Sequence, residues 1–219
     1  MEDHHREIHP GIAWPLSGAD ALREELLAAY DEPGRAYHDQ QHLGEVLTRL
    51  DELAAHGVAF EPLPTRLAAW FHDAVYDGER DAEERSAAWA EVALPAYVDA
   101  ATVAEVARLV RLTESHRPDP ADTNGAALSD ADLGVLALPA ADYATYAAKV
   151  RREYAHLSDE VFAAGRADLL ADLLERPALF RTEAAGRLWE EAARRNITAE
   201  LAELDRLAGP GARPRTAAR

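Results

Sequence analysis

Apolar residues recur at three- and four-residue spacings along almost the whole chain, and no stretch alternates β-branched residues in the two-residue rhythm of a strand. A chain patterned this way can bury its apolar stripes only by packing helix on helix. The spacing predicts a helix over 20–30, with Leu22, Leu26 and Leu27 on one face. A second, over 41–55, carries Leu43, Val46, Leu47, Leu50 and Leu53 and is stopped by Gly57. Pro62 and Pro64 introduce Leu67-Ala68-Ala69-Trp70-Phe71, the most hydrophobic helix of the set, which is expected to be buried and central. Further helices are expected over 81–97, 101–115, 129–136, 140–155, 159–175 and 183–207, with a Pro- and Asp-rich loop at 117–124. No repeat and no linker interrupts this pattern. The reading is a single all-α domain over 1–208, followed by a disordered tail at 209–219 where Gly and Pro forbid helix.

Length and composition exclude several function classes. A chain of 219 residues that is 48% apolar can bury one sizeable core. With no Cys, it has no disulfide framework, thiolate nucleophile, iron–sulfur cluster or cysteine zinc site. The 23 basic residues against 40 acidic ones give a net charge of −17. A field of that sign repels duplex nucleic acid, but it admits a small anionic substrate where a local cation meets it. No apolar run is long enough to span a membrane, and the polar start Met1-Glu2-Asp3-His4-His5 is unlike a secretory signal. A cytoplasmic protein is expected.

Without Cys, a metal site must be assembled from His, Asp and Glu. Of the nine His, His4, His5 and His9 fall in a polar stretch where solvation is expected. His56, beside Gly57, sits where a helix end favours an imidazolium, and His156 has a similarly ordinary explanation. His72-Asp73 is different, because it directly follows the apolar run ending Trp70-Phe71. Burying an imidazole and a carboxylate there costs several kcal/mol unless each finds a strong partner. A divalent cation would satisfy both, and so would a structural His–Asp hydrogen bond. The dipeptide also occurs as His38-Asp39, where Asp39 has the look of a helix cap. His42 shares a helical face with Val46 and can point into the same core. Asp132 is open to two readings: a further ligand, or the carboxylate of a capping box begun by Ser129. Asp130 is the alternative candidate, since residues two apart diverge on a helix.

His42, then His72-Asp73 closing a hydrophobic helix, then Ala131-Asp132-Leu133, resembles the H…HD…D signature of the HD-domain metal-dependent phosphohydrolases. The similarity extends through Tyr37-His38-Asp39-Gln40-Gln41-His42, Trp70 to Asp77, Glu84-Arg85-Ser86-Ala87 and Thr113-Glu114-Ser115-His116. Weaker matches are Val150-Arg151-Arg152-Glu153-Tyr154 and Glu191 to Asn196, so the resemblance runs from about Arg35 to Leu201. It implies an HD-like helical bundle in which His42, His72, Asp73 and Asp132 hold one divalent ion (Mn, Mg, Co, Ni, Fe or Zn). It further implies hydrolysis of a nucleotide or other small phosphate ester by metal-activated water, with Asp73 and Asp77 as the catalytic carboxylates. Asp77-Gly78 reads equally as a turn.

For the substrate phosphate, protonated His116 and the planar forks of Arg35, Arg117, Arg151 and Arg194 are candidates, with His38 near His42 as a further contact. Each has an ordinary reading as well: surface Arg, a helix-start His38, and a helix-end His116. Glu84 is open between supporting a ligand and starting a helix. Tyr143, Tyr146 and Tyr154 read better as core than as a base-stacking platform. Two other functions compete: a non-catalytic nucleotide- or metal-binding module, and a di-iron oxygenase on the same fold. A homodimer is compatible with the sequence.

Overall fold

The structure, a computed structural model, describes residues 12–78 and 81–208. Among these residues there are nine α-helices and no strand. None of the helices is long and apolar enough to cross a membrane. The expected tail and His4, His5 and His9 lie outside the described residues. The chain divides into two compact units, one up to Leu133 and one from Gly134 onward.

In the first unit, α1 (Asp20–Tyr30) buries Leu22, Leu26, Leu27 and Tyr30, the face that its spacing predicts. The helix α2 (Gln40–Ala55) begins where Asp39 accepts hydrogen bonds from the amides of Gln41 and His42, so Asp39 is the cap its position suggests. It ends at His56, and Gly57 takes the positive φ of 83° that closes the turn. The next helix, α3 (Pro62–Phe71), starts on a proline that has no amide to leave unsatisfied. Its Leu67, Ala68, Ala69, Trp70 and Phe71 are fully buried, which makes it the central element. Around it stand α2, α4 (Ala82–Ala93), α5 (Ala100–Leu112) and α6 (Thr123–Leu133). Trp70 donates its indole N–H to the carbonyl of Ala13 and meets Trp14 edge-on.

Three boundaries differ from the sequence reading. The helix expected over 81–97 gives way at Leu94–Ala96 to a 3-10 turn, because Pro95 removes an amide donor. α5 stops at Leu112, short of 115. The largest difference is α6, which begins at Thr123, inside the expected loop. Its start is fixed by Asp122, whose carboxylate accepts from the amide of Gly125 at 2.8 Å. Ser129 therefore lies mid-helix and does not cap this helix; its buried hydroxyl has no hydrogen-bond partner among the described residues. The capping-box reading of Asp132 falls with it.

The second unit opens with a 3-10 turn at Gly134–Ala137, followed by α7 (Ala140–Glu153), α8 (Asp159–Glu175) and α9 (Glu183–Ala208). α8 and α9 pack along each other, and Asn196 of α9 donates to the carbonyls of Leu136 and Leu138 at 2.8 Å each. Tyr143 donates to Glu200, and Glu200 also receives Arg166, whose guanidinium donates to the Tyr146 hydroxyl. This network supports the core reading of Tyr143 and Tyr146.

Candidate metal centre

Three elements of the first unit bring the polar residues together. α2 delivers His42 from its first turn, with the Asp39 cap setting where that turn begins. The end of α3 delivers His72 as the capping residue and Asp73 just beyond it. The last turn of α6 delivers Asp132. The imidazoles are almost fully buried, while the side chains of Asp73 and Asp132 keep 16% exposure.

The reactive atoms converge. His42 Nε2 lies 3.1 Å from His72 Nε2, 3.3 Å from an Asp73 oxygen and 3.3 Å from an Asp132 oxygen. His72 Nε2 lies 3.1 Å from the same Asp73 oxygen and 3.8 Å from Asp132. Ligands bound at about 2.1 Å stand about 3.0 Å apart at right angles and about 3.4 Å apart in a tetrahedron. The observed separations fall around that range. Among the described residues, donor atoms of His42, His72 and Asp73 all lie within 4.8 Å of one another and could hold an ion; Asp132 stands outside this group.

Donor chemistry supports the same assignment. His72 donates from Nδ1 to the carbonyl of Ala69 at 2.8 Å, so when the ring is neutral it turns a lone pair on Nε2 into the cluster. His42 has no equivalent support: its buried Nδ1 has no hydrogen-bond partner among the described residues. Burial alone would lower the pKa of His42, but hydrogen bonds to Asp132 and Asp73 override it and raise it to about 10. The same contest raises His72, where burial is outweighed chiefly by the Asp73 charge. Burial would raise Asp73 and Asp132. The surrounding imidazoles instead lower both, through His72 and His38 at Asp73 and through His42, His72 and His116 at Asp132.

The other candidates are distributed as follows. His116 reaches the cluster from outside, its Nε2 3.4 Å from the second Asp132 oxygen, and it holds the left-handed φ of 50°. His38 stacks on Tyr76 with ring centres 4.0 Å apart, and its charge is felt at Asp73. Arg35 is buried, and all five of its N–H groups are used within the protein. No donor is left for a phosphate. Asp77 is held by Arg85 through two bonds of 2.6 and 2.7 Å at the surface. Arg117 is exposed. In the second unit, Arg151 holds Asp159 and the carbonyls of Tyr154 and Leu157, and Arg194 holds Glu190 and the carbonyls of Leu174 and Arg176.

Of the two readings left open for Glu84, the structure favours the helix start, since it lies in the first turn of α4. Glu84 turns outward to Arg111, whereas its neighbour Glu83 is raised, first by burial and then by the charges of Asp73 and Glu114. Only the helical phase of α4 separates the two, and the sequence does not fix that phase. Asp130 is fully buried and outside the group of His42, His72 and Asp73. Compared with protein-family models, curated proteins and solved structures, the chain gives no significant match.

Proposed function

We propose that this chain is a divalent-metal phosphohydrolase acting on a nucleotide or another small phosphate ester. One observation carries the reading: the Nε2 atoms of His42 and His72 lie 3.1 Å apart and an Asp73 oxygen lies 3.1–3.3 Å from both, with an Asp132 oxygen 3.3 Å from His42 and 3.8 Å from His72. Such an array of lone pairs is costly to bury without a cation among them. His42, His72, Asp73 and Asp132 would hold the ion. When bound, a divalent ion polarises a phosphoryl oxygen and acidifies water near neutral pH.

The remaining steps belong to the protein. The Ala69 carbonyl fixes the tautomer of His72, and the Asp39 cap fixes the turn that carries His42. Asp77 would orient the attacking water after exchanging its hold on Arg85. Arg117, exposed, and His116, at the outer edge of Asp132, would meet the phosphate. The overall charge of −17 makes such local cations necessary for an anion to approach.

Metal content of the wild type and of Asp73→Ala, followed by phosphate release from a panel of nucleotides and esters with Mn, Mg, Co, Ni, Fe or Zn, tests this reading. About one ion per chain, its loss in the variant, and metal-dependent release support it. Absence of metal from both proteins overturns it.

One observation favours a second reading, a non-catalytic nucleotide- or metal-binding module. Asp77 and Arg35, two residues expected at the reaction, are both engaged by protein partners. Tight binding without turnover across the panel would decide for that module. A di-iron oxygenase would need more imidazole than His116 alone supplies between Asp73 and Asp132.

A further inference from the structure

We propose that Arg35 is the positioning residue of the metal centre, joining the segment that leads to His42 to the segment that carries His72 and Asp73. The proposal rests on the metal reading of the cluster. Nη1 of Arg35 donates to the carbonyl of His38 at 3.2 Å and to that of Asp73 at 2.6 Å. Nη2 donates to the carbonyl of Ala74 at 2.9 Å. Glu32 receives the remaining two N–H groups, at 3.4 Å from Nε and 3.2 Å from Nη2. The side chain is 2% exposed.

The carbonyls involved are not incidental. Those of Asp73 and Ala74 lie just past the end of α3, where the helix presents partial negative charge. The carbonyl of His38 lies just ahead of Asp39, the cap of the helix that presents His42. One rigid, planar cation therefore spans both ligand-bearing segments. Asp73 is held on its other side too, since its amide donates to the hydroxyl of Tyr30 at 3.3 Å. Two residues on, the amide of Val75 donates to Ser86 at 3.0 Å. The main chain of Asp73 is thus held at both its amide and its carbonyl, which fixes the point from which its carboxylate departs. Lys at position 35 would keep the charge but could not span three carbonyls from one plane.

Co²⁺ is the probe, with affinity measured by chelator competition and the site geometry by its visible spectrum. Arg35→Lys is expected to weaken Co²⁺ binding about 10–100-fold, the range for losing support around a ligand, and to change the spectrum. Arg49→Lys serves as the comparison: Arg49 is also buried, and its bond is to Glu45 on its own helix. It is expected to lower the urea midpoint of the metal-free protein and leave Co²⁺ affinity and spectrum as they were. A purely structural Arg35 would behave like Arg49, and that result overturns the proposal. If Arg35→Lys does not fold, Tyr30→Phe, which frees the amide of the same residue, is read in its place; unchanged affinity there also overturns it. A wild type that takes up no Co²⁺ overturns the metal reading itself, and the proposal with it.

Discussion

The Nε2 atoms of His42 and His72 stand 3.1 Å apart, and one oxygen of Asp73 lies 3.3 and 3.1 Å from them. Two ring nitrogens at that separation can share one proton, whereas two N–H groups facing each other would repel. With both carboxylates ionised and one imidazolium between them, one negative charge within the quartet stays uncompensated. His116 can answer it only from the outer side of Asp132. That residual charge gives the quartet its appetite for a cation.

Removing the ion should therefore cost stability. With free metal at 100 times its dissociation constant, binding to the folded state alone is worth about 2.7 kcal/mol. Chelation of the wild type is expected to lower the urea midpoint accordingly, and His42→Ala should show no response to either metal or chelator. Paired denaturation curves with excess metal and with excess chelator check this.

Metal affinity and metal-free stability should respond to pH in opposite directions. His42 is raised from 6.5 to about 10, so its contribution is complete below pH 6.5 and is lost as pH climbs towards 10. Asp73 and Asp132 are lowered, so theirs is present above the ordinary Asp value and is lost as pH falls below it. A metal ion must displace the His42 proton, so affinity should rise about tenfold per pH unit between neutrality and the His42 pKa. Urea midpoints in chelator at about pH 5, 7 and 9, with proton release on metal addition, measure both trends.

Asp77→Asn separates the orientation of water from the holding of metal. If Asp77 orients water, kcat should fall about 10²–10⁴-fold with metal affinity unchanged. The surface pair with Arg85 is exposed, so the melting midpoint should not move. Unaltered kcat would remove Asp77 from the mechanism.

Gly125→Ala should loosen the helix that carries Asp132. A methyl group at this position would meet the Asp122 carboxylate at 2.2 Å and Leu112 at 2.6 Å. Moving Asp122 away breaks the cap on the Gly125 amide, with a cost of about 1 kcal/mol for the cap and more for the crowding. A urea titration should show the loss, together with weakened metal binding.

The cluster could be read in the sequence because polar residues at the end of an apolar helix contradict their surroundings. His72-Asp73 stands out against Trp70-Phe71 for that reason, and Asp39 and Gly57 mark the ends of α2 by the same local chemistry. The start of α6 was hidden because Asp122, Thr123 and Asn124 suit a loop as well as a capped helix, and burial settles the choice. Arg35, Tyr30 and Ser86 left no pattern because their partners are main-chain groups, which every residue possesses. The HD-like bundle itself stays an inference from the H…HD…D residues; what the structure supplies is the all-helical build and the convergence of donors.

α3 stops one residue before His72. Inside a regular helix, neighbouring side chains diverge by about 100°, given 3.6 residues per turn. His72 still has helical dihedrals, but beyond it the chain passes into a tighter turn in which the Ala74 amide donates to the Phe71 carbonyl at 3.0 Å, and it is at this joint that the adjacent His and Asp meet one spot. Punctuation at this single joint thus governs the chemistry as much as the identity of any donor. Winding one more turn onto the helix would swing Asp73 aside while leaving all four side chains in place in the sequence.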